Sequence, residues 1–532
     1  MDDEIEVLIV GAGPVGLTLA LELQRFGIRF RIIEKKAERS ATSKALGLQP
    51  RVSEVFAILG LKNEFDARGF SDIRAVNFYS GARKLLRVAI QQPVDQAGWE
   101  ACQPRLFIIP QSDTEEILER TLAARGHVVE RRCELIGFEQ MHDRVRARIR
   151  VEDGTEQTIA ARFLVSCEGA HSIVRKQGGF SFAGRTMPMR FLLADVTIDW
   201  DRPENEVQVW FHRDGVMGAL PFGGQKWRLI IERAAQADAD SEEVTLALVQ
   251  QLIADRIARP DLRIRDPVWL SDFRINARMV DRFRDGRVFI AGDAAHIHSP
   301  LGGQGIATGI QDASNLAWKL AAVLREGARD SLLDTYDEER KPIARAVLRG
   351  TTAASQLVFA MNPIVRFVRE RIVFPIFSTA MVRSRLLKKV SQLEIRYRGS
   401  LAEGSSAAAS IRAGDRAPDV VFAVGGAKVS LFELLRKFGA IALLRPGGDT
   451  SQIVRALAAL RIHFFLLAQG ELEDVHSDFA RFYGGRGPVL WLIRPDGHIG
   501  LFQSPGDPQA LATWLRKIRD PEEVAKVFVG PP

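Results

Sequence analysis

The chain has 532 residues, 46% of them hydrophobic and 26% charged, with 73 Lys and Arg against 66 Asp and Glu for a net charge of +7. That length accommodates two or three domains, and the composition is that of a globular protein. The basic residues are dispersed without interleaved aromatics, which argues against nucleic acid as a partner; the surplus suits an anionic substrate or NADPH, or else a merely solvated surface. No apolar run reaches membrane-spanning length, and the N-terminus begins acidic and passes directly into an apolar strand, so neither a membrane span nor a signal peptide is expected.

The first element, VLIVGAGPVGLTLALEL, is an apolar strand running into Gly11-x-Gly13-x-x-Gly16 and then a helix, and the next apolar run, FRIIE, ends at Glu34. This order is the dinucleotide fingerprint in its required context. Gly11 permits the tight turn, Gly13 lets backbone approach a pyrophosphate, and Gly16 allows close helix–strand packing. The helix start offers N–H groups to phosphate, and Glu34 can accept from a ribose diol. Arg51, farther on, is read either as a charge partner of a cofactor or substrate or as a solvated helix-face residue.

Residues 186–274 alternate apolar and polar positions with Gly and Pro breaks, as in MRFLLADVTIDW and KWRLIIERA, the pattern of an antiparallel sheet. RVFIAGDAAH then reads as a buried strand breaking at Gly292, placing Asp293 at a strand's carboxyl end, where open α/β sheets bind ligands. An N-cap role for Asp293 is the alternative. A helix follows from about Gly305, with Ile310, Ala313, Leu316, Ala317 and Leu320 at helical spacing. Its N-terminus suits partial negative charge.

From Pro363 to Leu393 the chain is basic and apolar, fitting either an amphipathic membrane-surface helix or helices packed on the first domain or a partner subunit. Residues 396–415 read as a linker, and 416–532 alternate strands and helices before a hairpin across Pro495-Asp496-Gly497. Cys102, Cys133 and Cys167 are isolated and odd in number, against a disulfide framework or a zinc site and for a reducing cytoplasm. His296 and His298 lack a neighbouring Cys/His cluster, so no metal is expected.

Taken together, GAGPVGL, KALGLQPRVSEVFAILG, IPQSDTEEILERTL, FLVSCEGAHSIVRK and GDAAHIHSPLGGQGIATGIQDASNLAWKL resemble, in order, the single-component FAD-dependent aromatic hydroxylases. These are the class A flavoprotein monooxygenases of the para-hydroxybenzoate hydroxylase fold, and residues 416–532 resemble the thioredoxin-like C-terminal domain of the phenol-hydroxylase type. The resemblance implies a mixed α/β and α+β architecture. A Rossmann-like FAD-binding domain would comprise 1–75, 105–185 and 275–395, an inserted antiparallel-sheet substrate domain 76–104 and 186–274, and a thioredoxin-like domain without redox cysteines 416–532.

Carried over by position, Gly11, Gly13, Pro14, Gly16, Glu34 and Lys35 would hold the ADP half of FAD, with Lys44 and Arg51 as charge partners and Gln111 midway along the cofactor. Asp293 would bind its ribityl or pyrophosphate region, Pro300 would lie near the isoalloxazine, and Gly305 and Ile306 would present backbone N–H groups to its pyrimidine ring. Three residues depart from the family pattern: Lys44 replaces Arg, Glu168 replaces Asp, and Ala307 replaces Asn. The implied reaction is hydroxylation of a phenolic or polycyclic aromatic by a flavin C4a hydroperoxide, using molecular oxygen and transiently bound NADH or NADPH, in a cytoplasmic homodimer. Baeyer–Villiger-type oxygen insertion into a polyketide-like substrate and a non-catalytic flavin-binding role are the alternatives. No catalytic residue is assigned; Tyr79, His212 and Arg233 are candidate bases for a phenol, each with a packing or surface role as its alternative.

Overall fold

The computed structural model describes residues 5–40, 46–90, 105–233, 244–300, 302–359, 362–374, 376, 379–399, 401–405, 411–447, 450–467, 471–474, 477–484, 488–504 and 506–529. Lys44 and Cys102 lie outside these residues.

Strand β1 (Ile5–Val10) is apolar at every position but Glu6 and is central in its sheet, parallel to β2 (Phe30–Glu34) on one side and to β3 (Glu156–Ser166) on the other. β3 is in turn parallel to β4 (Val288–Ile290). A parallel sheet is covered on both faces, so its strands read as continuous apolar runs. Helix α1 (Pro14–Arg25) covers one face and packs against α3 (Gln111–Ala124) and the 21-residue α4 (Gly305–Arg325). Helix α2 (Pro50–Ile58) lies against α4, and α5 (Thr335–Val358) follows it.

A second sheet has eight strands, in the order His296–Ile297, Ile264–Val280, Phe182–Ile198, Lys226–Arg233, Gly215–Gly223, Glu206–His212, Ala75–Ser80 and Arg83–Ala89. It departs from the expected antiparallel sheet in one pair, because Glu206–His212 runs parallel to Ala75–Ser80. Those two strands belong to separate excursions of the chain out of the first sheet, so no hairpin forces them to be antiparallel. Residues 186–274 also hold a helix, Leu246–Ile257, where only strands were expected. Its Val249, Ile253 and Ile257 recur every four residues and bury into the sheet, and the Thr245 side chain caps its start by accepting from Leu248 N.

The C-terminal region has a five-stranded sheet in the order Glu403–Ser405, Ile499–Gln503, Val489–Ile493, Ile441–Arg445 and His463–Leu466. Residues 396–415, read as a linker, therefore supply an edge strand, and Tyr397 and Leu401 are buried. One core cluster joins Trp318 and Ala322 of α4 to Leu444, Leu490 and Leu515, so this region packs directly on the first domain. None of the helices among the described residues is long and apolar enough to cross a membrane.

Candidate functional site

β1, β3 and β4 end side by side, and backbone bonds continue past them from Cys167 N to Val10 O at 2.7 Å and from Ala291 N to Ser166 O at 3.0 Å. The two distant glycine motifs thereby meet at one sheet edge. A Cβ on Gly309 of α4 would fall 2.6 Å from Val15 Cγ2 and 3.0 Å from Gly292 Cα, so the second motif rests on the first helix only because side chains are missing there.

Within the first motif the glycines differ in kind. A Cβ on Gly16 would lie 2.0 Å from Gly11 O, whereas one on Gly13 meets nothing within 4 Å. Gly16 is therefore needed by the fold, and Gly13 opens onto free space at the N-terminus of α1. That is the cradle a pyrophosphate would enter, and the Glu34 carboxylate stands beside it, accepting from Ala12 N at 3.0 Å and Lys36 N at 3.1 Å. These residues fit the ADP half of a dinucleotide. Lys35 is exposed next to them.

The second motif is braced by residues to which sequence reading gave no role. Asp312 of α4, fully buried, accepts from Gly292 N at 3.1 Å and bonds His296 Nε2 at 2.8 Å, and its other oxygen accepts from Arg340 Nε at 2.7 Å. Burial alone would raise the Asp312 carboxyl, but the charges of Arg340 and His296 hold it below its ordinary range. Arg175 donates to Ala294 O at 3.0 Å. Only the presence of Asp312 and Arg175 within quoted motifs marked them. Asp293 lies in a short 3-10 turn, Gly292–Ala294, with its side chain exposed at the sheet edge.

The glycine-rich loop beyond is held by Gln49, whose Nε2 donates to Gly302 O at 2.7 Å, and by Gln392, whose Nε2 donates to Thr308 Oγ1 at 3.1 Å. Pro300 is exposed, and Gly305 and Ile306 open α4 with half-buried backbone. His298 packs against this helix start; its ring lies where a Gly305 Cβ would come within 3.7 Å of Nε2. Its Nδ1 pairs with Ser299 O at 2.9 Å while Nε2 is buried without a hydrogen-bond partner, and burial lowers its pKa to about 4. Ala307 is fully buried in the main core.

Other predicted residues are placed elsewhere. Arg51 is 1% exposed and faces the C-terminal region, donating to Glu54 at 2.5 Å and to Asp496 O at 2.6 Å, so it is neither a solvated helix-face residue nor gathered with the glycine motifs. Its side chain points that way because α2 is sandwiched between the two domains. Gln111 opens α3 and donates to Glu115 at 2.8 Å. Glu168 accepts from Ser172 Oγ at 2.6 Å and Ile173 N at 3.1 Å, holding the start of the helix Ile173–Gln177 despite its extra methylene. Tyr79 packs on Trp210 on the helix-covered face of the second sheet and donates to Gln208 Oε1 at 3.0 Å. His212 Nδ1 accepts from Asp214 N in a hairpin, and Arg233 lies 3.5 Å from Asp272.

The opposite face of that sheet looks toward the first domain. Strand residues alternate between faces; Leu192, Ala194, Trp227 and Leu229 pack on the helix Leu246–Ile257, so Leu193, Asp195, Arg228 and Ile230 point away from it. At one end Leu220 and Phe222 meet Leu46 and Ile108 of the first domain; at the other Phe191 and Ile230 meet Phe359. Between these contacts Arg228, 1% exposed, donates from Nε and Nη2 to the two oxygens of Asp195, each at 2.7 Å. Its Nη1 is buried without a hydrogen-bond partner, with Phe222 and Trp269 rings 5.6 and 5.5 Å from the guanidinium carbon. The face is thus largely aromatic and apolar, with the Arg228–Asp195 ion pair set into it.

Residues 4–351 match the family described as FAD binding domain. A flavin-dependent monooxygenase of Mycobacteroides abscessus is 36% identical over 519 residues, covering 94% of this chain and 97% of that one. Pentachlorophenol 4-monooxygenase of Sphingobium chlorophenolicum is 30% identical, covering 93% of each. A crystal structure of aklavinone-11 hydroxylase in ternary complex with FAD and aklavinone superposes with a TM-score of 0.79 at 25% identity, covering 100% of both chains.

Proposed function

Because the chain belongs to the FAD binding domain family and is an FAD-dependent monooxygenase, we propose that it hydroxylates a phenolic or polycyclic aromatic compound using NAD(P)H and molecular oxygen, with its substrate lying between the second sheet and the start of α4. The observation that carries this reading is the half-buried aromatic pair Phe222 and Trp269 on that sheet face with the Arg228 guanidinium fixed between them. When bound, FAD supplies the acceptor for hydride from NAD(P)H and the activation of oxygen. The chain supplies binding, orientation and exclusion of water.

In this reading Gly11, Gly13, Pro14, Gly16, Glu34 and Lys35 receive the ADP half, Gln111 contacts the cofactor midway, Asp293 binds the ribityl or pyrophosphate region, and Pro300, Gly305 and Ile306 lie along the isoalloxazine end. The free space at Gly13 and the helix N-termini at residues 14 and 305 support that placement. The apolar sheet face keeps water from the reacting ring. Arg228, whose Nη1 has no hydrogen-bond partner in the protein, favours a phenolate or carbonyl oxygen on the substrate.

Residues 416–532 are read as a thioredoxin-like domain. Ile441–Arg445 is parallel to His463–Leu466 and antiparallel to Val489–Ile493, with Ile499–Gln503 next, which supports that order of strands. The region has no cysteine, which excludes a Cys-x-x-Cys redox role and favours a structural or oligomerisation role. The enzyme is taken as a cytoplasmic homodimer; Cys133 and Cys167 are both buried free thiols, which suits a reducing compartment.

The test is a screen of phenolic and polycyclic compounds for stimulated NAD(P)H consumption, followed by product mass and structure. A product gaining one oxygen as a ring hydroxyl is expected. A lactone or ester would replace ring hydroxylation with oxygen insertion beside a ketone.

A further inference from the structure

The turn of the hairpin Val489–Gln503 carries Arg494, Asp496 and His498, all 1 or 2% exposed, at the junction with α4 and α5. Charge buried this deeply is costly unless paired, and here it is paired continuously. Arg494 donates to both oxygens of Glu339 on α5, at 2.6 and 2.9 Å, and to Asp496 at 3.1 and 2.6 Å. Asp496 accepts from Asn315 Nδ2 and Trp318 Nε1 of α4, each at 3.3 Å. Lys319 of α4 closes on Glu339 at 2.8 Å.

One residue along α5, Arg340 anchors a second cluster. It donates to Tyr397 Oη at 2.9 Å, to Thr308 O at 3.0 Å and to Asp312 at 2.7 Å. The Tyr397 ring lies 4.2 Å from that of His498, and Asp312 ends the second cluster at Gly292 N. Two hydrogen-bonded clusters, joined where the Tyr397 ring lies against His498 and 5.0 Å from the Arg494 guanidinium carbon, therefore connect a hairpin of the cysteine-free region to both parts of the second glycine motif, its turn and the first turn of its helix.

We infer that Arg494, Asp496, Tyr397 and Arg340 are positioning residues for the flavin: the C-terminal region acts on the reaction by fixing α4 and α5, and through Asp312 and Thr308 the backbone that faces the isoalloxazine. This rests on the reading of residues 292–306 as the flavin's ring end. Well-packed apolar residues would seal the same junction as stably or more so. What they would not do is hold Asp312 at Gly292 N, since its counter-charge is Arg340.

The test uses full-length protein stripped of FAD and titrated with it, reading the dissociation constant and the visible flavin absorption band. Arg494→Lys and Tyr397→Phe are expected to weaken FAD binding about tenfold, in the usual range of coupling between distant sites, and to shift the band. Leu443→Ala, in the core of the C-terminal sheet and fully buried, is expected to lower thermal stability and leave both readouts unchanged. Should Arg494→Lys fail to fold, Tyr397→Phe decides, because it removes one hydroxyl. Wild-type affinity and spectrum in Tyr397→Phe, or equal weakening by Leu443→Ala, would overturn the positioning role. Asp293→Ala separates the two readings: weakened binding there beside wild-type affinity in Arg494→Lys and Tyr397→Phe overturns positioning alone, whereas unchanged binding in Asp293→Ala overturns the assignment of the turn to flavin.

Discussion

Valine at position 13 and alanine at position 16 should separate cofactor binding from folding. Gly13 has φ −75° and ψ −178°, a conformation open to any residue, and a Cβ there meets no protein atom within 4 Å. Gly13→Val is therefore expected to change the stability of the FAD-free protein by no more than about 0.5 kcal/mol, as at an uncrowded surface site. The same methyl groups occupy the space a pyrophosphate needs. Losing about two charge-assisted hydrogen bonds to phosphate, at about 1.5 kcal/mol each or more, raises the FAD dissociation constant on the order of 100-fold. Gly16→Ala behaves oppositely, because its Cβ would sit 2.0 Å from Gly11 O and 3.1 Å from Gly11 C, both backbone atoms that cannot rotate aside. Overpacking of this kind costs about 1–3 kcal/mol, here toward the upper end. The assays are urea unfolding of the FAD-free proteins and fluorescence titration with FAD. Wild-type FAD affinity in Gly13→Val, or a loss of stability there as large as in Gly16→Ala, would refute the reasoning.

Acid should unfold the protein early. Burial holds His298 and His498 at about 4 against an ordinary 6.5, so both are neutral in the folded state while the unfolded chain takes up a proton at each. Stability contributed by these groups is complete above pH 6.5 and falls as pH drops toward 4, with a slope of at most about 2.7 kcal/mol per pH unit. Glu339 extends the loss: burial would raise it, but Arg494 and Lys319 hold it at about 2, so its contribution is present above 4.5 and lost between there and 2. A urea midpoint constant from pH 7 to 4.5 would contradict this. Arg228→Met is expected to raise KM for the aromatic substrate about tenfold or more, the worth of a hydrogen bond to a charged group, with FAD content unchanged; unaltered KM would remove Arg228 from the substrate site.

Much of the cofactor side was legible because its signals are local. Strand, glycine turn, helix and terminal acid fall within residues 5–34, and the second motif within 288–325, so chain order alone brings their parts together. The helix Leu246–Ile257 and the parallel pairing of Glu206–His212 were missed for different reasons. The first has its own four-residue repeat, which a reading set on alternation passes over; the second is a meeting of separate excursions that no local pattern encodes.

By itself, then, the amino-acid sequence determined the strand–glycine–helix order of a dinucleotide fingerprint at β1 and the glycine-rich sequel to β4, since glycine spacing and apolar strands are properties of neighbouring residues. Tertiary structure alone decided which long-range partners the charges take. Arg51 turned toward Asp496, Asp312 toward Arg340, and Arg228 toward Asp195, pairs separated by 445, 28 and 33 positions. Alternation along a strand shows that two faces exist, but only packing shows which face the helix Leu246–Ile257 covers, and so why Tyr79 is buried behind the sheet while Arg228 faces the first domain. Buried charge must find its counter-charge wherever folding brings one within reach, and that distance is set by the whole fold.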